Sequence, residues 1–151
     1  MSVSSNAFKR DVRGLRTPAV LAWMRLVRVF QKVDRASTEH FRCRNLSMAQ
    51  FDVLARVGAA EGQTQQELAD SLLVTKGNIC QLLDRMEQAG LIERRQEGRA
   101  NRIFLTTSGR ELYLQAVPAQ ERLIDELFCP LSVGEQAQLL DLLRKLDRSL
   151  R

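Results

Sequence analysis

Residues 64–90 read TQQELADSLLVTKGNICQLLDRMEQAG, and the order of signals in this stretch decides the fold. Thr64-Gln-Gln-Glu67 is a capping box, in which a hydroxyl and a carboxylate three residues apart satisfy each other's backbone N–H groups. It opens a helix of two turns that carries Leu68, Ala69 and Leu72. A short turn near Leu73 and Val74 leads to Thr75, which can cap a further helix running to Ala89 before Gly90. In that second helix Ile79, Leu82, Leu83 and Met86 recur at helical spacing and turn inward, leaving Lys76, Gly77, Asn78, Gln81 and Arg85 outward. Two short helices across a tight turn, with small and hydrogen-bonding residues at the start of the second, form a helix-turn-helix. That arrangement presents the N-terminal end of its second helix to base edges in the major groove.

Working outward, the periodicity changes after Gly90. Leu91 to Arg95 and Asn101 to Leu105 read as strands separated by Gln96-Glu-Gly-Arg-Ala100. A tight turn at Glu97-Gly98 sets Glu93 opposite Arg102 and Ile92 opposite Ile103, and leaves Arg94 and Arg99 projecting near the tip toward a duplex backbone. On the other side, Ser47-Met-Ala-Gln50 is a second capping box with Leu46 and Phe51 at hydrophobic-staple positions, opening a helix that Glu61-Gly62 ends. Thr17-Pro18 starts a long helix whose Trp23, Leu26, Phe30, Val33 and Ser37, with Val27 and Phe41, make one stripe, and Asn45 closes it in the left-handed conformation.

From Thr106 a helix carries Leu112, Tyr113, Ala116 and Val117, bends at Pro118 and resumes to Phe128. Ser132-Val-Gly-Glu135 opens a last helix bearing Leu139, Leu142, Leu143, Leu146 and Leu150. The fold class is therefore mainly α with a small β-hairpin: a winged helix-turn-helix with N- and C-terminal dimerisation helices. Residues 1–16 read as a basic N-terminal arm, 17–45 and 106–151 as the helical dimerisation region, and 46–105 as the DNA-binding region. The terminal helices carry more apolar surface than a small winged helix can cover alone, so a homodimer is expected.

Composition narrows the function. Of 151 residues, 44% are hydrophobic and 27% charged, an ordinary globular balance. Three cysteines, Cys43, Cys80 and Cys129, fit neither a disulfide framework nor a CxxC metal site, and no apolar run is long enough to span a membrane. A cytoplasmic protein without metal or cofactor is expected. With one histidine and no phosphate-cradling loop or paired nucleophile and base, an enzyme is not expected. The formal net charge is +5, distributed as +7 over residues 1–44 and −2 over the remainder. A second basic cluster, Arg94, Arg95, Arg99 and Arg102 against Glu97, falls on the hairpin. Basic clusters flanking a helix-turn-helix point to double-stranded DNA. The candidate contacts are Thr64, Gln65, Gln66, Thr75, Lys76, Gly77, Asn78, Gln81, Arg85, Arg94, Arg99 and Arg102. A winged helix used for protein–protein contact is the alternative.

These elements resemble the MarR family of transcriptional regulators. The resemblance is densest from Leu46 to Thr106 and rests on Leu-Ser-Met-Ala-Gln-Phe-Asp-Val-Leu from 46, Thr64-Gln-Gln-Glu-Leu-Ala, Leu83-Asp-Arg-Met-Glu87, Gly90-Leu-Ile92 and Leu105-Thr106. It implies a homodimeric repressor on a pseudo-palindromic operator, released by a small molecule. The chain departs from the family at the hairpin tip, where Glu97-Gly98-Arg99 stands in a shortened loop in place of an Asp-x-Arg. A small aromatic or lipophilic effector, if bound between the helical and DNA-binding parts, has Phe30, His40 and Phe51 as candidate contacts. Cys80, on the second helix of the motif, reads as a small packing residue whose oxidation would interfere with docking on DNA.

Overall fold

A computed structural model of the chain describes residues 17–72 and 74–150; the basic arm expected at 1–16 lies outside the described residues. The chain divides into two compact units, one ending at Ala36 and the other beginning at Ser37. Helix α1, Pro18–Arg42, crosses that boundary. In the first unit its apolar residues are largely exposed, Trp23 by 63% and Phe30 by 66%.

The second unit begins with the buried end of α1. Ser37, a hydroxyl in the apolar stripe, is fully buried and accepts a hydrogen bond from Gln120 Nε2 at 2.8 Å, which satisfies the group that burial would otherwise penalise. The helix ends as expected, with Asn45 at φ 52° and Leu46 N donating to Phe41 O across the reversal. Helix α2, Met48–Ala59, opens on the Ser47/Gln50 capping box, and both staple residues, Leu46 and Phe51, are buried. Phe51 stacks on Phe41 with ring centroids 4.3 Å apart.

Strand β1, Gln63–Thr64, is not signalled by the local sequence pattern. It pairs antiparallel with β3, Ala100–Leu105, which also pairs with β2, Ile92–Glu97, so the sheet order is β1-β3-β2. Two polar residues give no alternation to detect, and their partner lies about forty positions away. Thr64 serves twice, ending β1 and capping helix α3, Gln65–Ser71. Helix α4, Lys76–Gln88, follows under the Thr75 cap and buries Ile79, Leu83 and Met86. The helix-turn-helix is thus formed by α3 and α4.

The hairpin register differs from the expected one. Ile92 faces Leu105, Arg94 faces Ile103 and Arg95 faces Arg102, so the two-residue turn is Gly98-Arg99 instead of Glu97-Gly98. Gly98 has φ +62° at the first turn position, where such hairpin turns need a glycine. Moving the turn by one residue moves each partner by two, which leaves every side chain on its face. Ile92 and Ile103 are accordingly both buried, although they are not opposite each other.

Helix α5, Thr107–Phe128, continues through Pro118 without interruption and packs against α2. Its first turn sits so close to the connection between α4 and β2 that a Cβ on Gly109 would lie 1.8 Å from the Leu91 carbonyl oxygen. Helix α6, Val133–Ser149, opens on the Ser132/Glu135 capping box and has no buried residue. The core runs through the winged part, with Val53, Leu54, Leu68, Ile79, Leu83 and Met86 at 0% exposure. No helix among the described residues is long and apolar enough to cross a membrane.

Candidate nucleic-acid interface

The cap on α4 sets the geometry of the site. Thr75 Oγ1 accepts from Asn78 N at 3.2 Å, fixing the first turn, and Ile79, Leu83 and Met86 anchor the helix in the core. Helical spacing then places Asn78, Gln81 and Arg85 in one outward row with Lys76 and Gly77 beside its start. All five are exposed. Among the described residues, the side chains of Lys76, Asn78, Gln81 and Arg85 have no hydrogen-bond or ion-pair partner, so their donors and acceptors face solvent. Gly77 has open space where a side chain would begin, which allows close backbone approach.

The start of α3 is more committed. Thr64 caps it, accepting from Glu67 N at 3.2 Å, while Thr64 N donates to Glu67 Oε2 at 2.7 Å. That backbone donor, aided by the Thr64 hydroxyl, holds the Glu67 carboxyl below its ordinary value. Gln65 Nε2 donates to Cys80 Sγ, tying the two helices of the motif together. Gln66 Nε2 donates to Asp70 Oδ1 at 2.8 Å, one turn along its own helix. Cys80 is half-buried and is a free thiol.

The wing departs most from the expectation. Arg94 does not project. Its side chain is only 20% exposed and folds onto α4, with Nη2 2.5 Å from Asp84 Oδ1 and Nε 3.9 Å from Glu87 Oε2. The strand position opposite Ile103 sits four residues short of the tip, within reach of the carboxylates on the helix flank. Arg102 is also held internally, donating to Gly62 O at 2.7 Å and pairing with Glu97 at 2.6 Å. Arg95 pairs with Glu93 and stacks its guanidinium over the Phe104 ring, 4.2 Å from the centroid. Arg99, in the turn, is exposed and carries no such partner. Among the described residues of the wing, it alone offers a cation free of internal pairing. Asp84 and Glu87 were not anticipated as participants; the available signal is two acids three residues apart on α4 followed by an arginine in the next strand.

The candidate effector residues are divided between the two units. His40 lies edge-on to Phe41, centroids 6.0 Å apart, with Nε2 3.5 Å from Arg44 Nη1. Phe51 stacks on the same Phe41 ring, inside the core. Phe30 belongs to the first unit.

Comparison with known proteins identifies the architecture. The MarR family profile matches residues 44–103, from the turn after α1 into the last strand of the wing. An uncharacterized HTH-type transcriptional regulator of Bacillus cereus is 34% identical over 129 residues, covering 85% of this chain and 88% of the relative. The chain belongs to the MarR family of transcriptional regulators. The apo crystal structure of MarR from Escherichia coli is similar with a TM-score of 0.68 at 33% identity, covering 81% of this chain and 94% of that one. A variant of the same E. coli protein, crystallised in complex with operator DNA, gives 0.77 at 32% identity over 85% of this chain and 95% of that one. The winged helix-turn-helix with terminal helices is the fold of this family, and the MarR-type chain is a regulator rather than an enzyme.

Proposed function

We propose that this chain is a sequence-specific double-stranded DNA-binding regulator that acts in the cytoplasm as a homodimeric repressor on a pseudo-palindromic operator. One observation carries the reading: the outward row Asn78, Gln81 and Arg85 is exposed and uncommitted on a helix whose opposite side is fully anchored. Amides at such positions donate and accept at one base edge and so distinguish base pairs. Arg99 at the wing tip supplies a charge for phosphate or the minor groove. The relative crystallised on operator DNA supports the same use of the fold. Exposed Leu142, Leu146 and Leu150 at the C-terminal end, and Trp23 and Phe30 on α1, supply apolar surface for a second copy. Release by a small aromatic or lipophilic ligand belongs to the same proposal and is tested by displacement of the protein from its duplex.

Selection from a random duplex pool tests the core of it. The enriched motif is expected to be an inverted repeat with half-site centres about 10 bp apart. Asn78→Ala or Gln81→Ala should weaken binding to that motif by roughly 1–3 kcal/mol and change binding to unrelated duplex little. Arg99→Ala should weaken both and reduce the slope of log affinity against log salt by about 1 per protomer. No enrichment, with no salt-dependent retention, would reject DNA binding in favour of a protein-contact module.

A further inference from the structure

Beyond the shared apolar core, one wing side chain reaches across to α4 and holds it by polar contacts. Arg94 leaves β2 and lies along α4, where Nη2 reaches Asp84 Oδ1 at 2.5 Å and Cys80 O at 3.4 Å, and Nε lies 3.9 Å from Glu87 Oε2. The backbone N–H of Arg94 also donates to Glu87 Oε1 at 3.2 Å. The grip extends over two turns of α4, from Cys80 to Glu87. At about 100° per residue, Cys80, Asp84 and Glu87 form one row of the helix. Asn78, Gln81 and Arg85 form another, rotated away by about 130°. The guanidinium is therefore shielded from the outward row and its charge is balanced by two carboxylates.

We propose that Arg94 is a positioning residue for sequence discrimination: by clamping β2 to α4 it fixes the wing tip relative to the base-reading row, so that Arg99 and Asn78–Gln81 engage one duplex in a single register. This rests on the proposed function, and it assigns Arg94 no contact with DNA. A clamp and a phosphate ligand are distinguishable. Loss of a phosphate ligand lowers affinity for all sequences and reduces the salt slope. Loss of a clamp loosens two rigid parts and lowers the advantage of the selected duplex over a scrambled one.

The test measures affinity for the selected and a scrambled duplex across a salt series, using the full-length chain and its Arg94→Gln, Asp84→Asn and Arg94→Gln/Asp84→Asn variants. The double substitution keeps the net charge unchanged. Each single variant should lower the selected-to-scrambled ratio about fivefold, a size fitting a partly exposed ion pair. The double variant should be no worse than either single one and should keep the wild-type salt slope. Arg94→Lys, which retains the charge, should recover part of the ratio. A slope reduced by about 1 per protomer in the double variant, or an unchanged ratio in Arg94→Gln, overturns the clamp. If Arg94→Gln does not fold by circular dichroism, Asp84→Asn and Arg94→Lys decide by the same criteria. If the wild-type protein binds neither duplex, the proposed function fails on its own. The clamp is then decided by amide exchange, where Asp84→Asn should accelerate exchange in β2 and unchanged protection rejects it.

Discussion

The helices α4 and α6 carry the same sequence signal and meet opposite fates. Each has leucine or isoleucine at steps of three and four. In α4, Ile79 and Leu83 are at 0% exposure, packed against the wing and α2. In α6, Leu142 is 61% exposed and Leu146 48%, and no residue of the helix is buried. An apolar stripe states that a helix has a face to cover; it does not state what covers it. The winged part closes on itself within one chain, whereas the C-terminal helix keeps its face open, and the proposed function gives that face to a second copy.

The largest effect that would sharpen this contrast is in the core. Leu83→Ala should destabilise the chain by about 2–5 kcal/mol, because a fully buried side chain is replaced by a cavity. A urea melt would read the shift, and a change below about 1 kcal/mol would mean that α4 is not anchored as described. Next in size is the exposed face. Leu142→Glu should raise the dimer dissociation constant at least tenfold, about 1.4 kcal/mol, while leaving the helical circular dichroism intact. Sedimentation equilibrium checks it, and an unchanged constant would place the second chain elsewhere.

The smallest expected effect concerns what the two regions share, the capping box. Backbone donors at Thr64 and Ser132 lower the carboxyl pKa values of Glu67 and Glu135 from 4.5. Carboxylates depressed in the folded state stabilise it above their unfolded pKa, and that contribution fades as pH falls through the folded value. Glu67→Gln should therefore lower the melting temperature slightly at neutral pH and converge with the wild type below about pH 4.5, which flattens the acid limb. Glu135→Gln should do the same if caps act locally. A difference between them would show that the surroundings of α3 and α6 reach into their caps.

Much of the fold was legible because its determinants are local. Three capping boxes, the Thr75 and Thr106 caps and the left-handed Asn45 each depend on residues within four or five positions, and all stand where the spacing places them. The base-reading row was legible for the same reason: once Thr75 starts α4 and Ile79, Leu83 and Met86 face inward, the outward positions follow from 3.6 residues per turn. The wing was less legible. A one-residue change in the turn costs no hydrophobic match, so alternation cannot choose between registers. A charge count over Arg94, Arg95, Arg99 and Arg102 reports basicity without reporting that Asp84, Glu87, Glu93 and Glu97 neutralise three of the four.

By itself, the sequence determined the helix boundaries, the helix-turn-helix and the identity of the side chains that α4 turns outward, since caps and periodicity act within a turn or two of the chain. Only the tertiary structure decided which of the wing arginines is free. That outcome depends on β2 folding back along the flank of α4, where the carboxylates of Asp84 and Glu87 stand within reach of Arg94, and on Gly98 placing Arg99 beyond any of them.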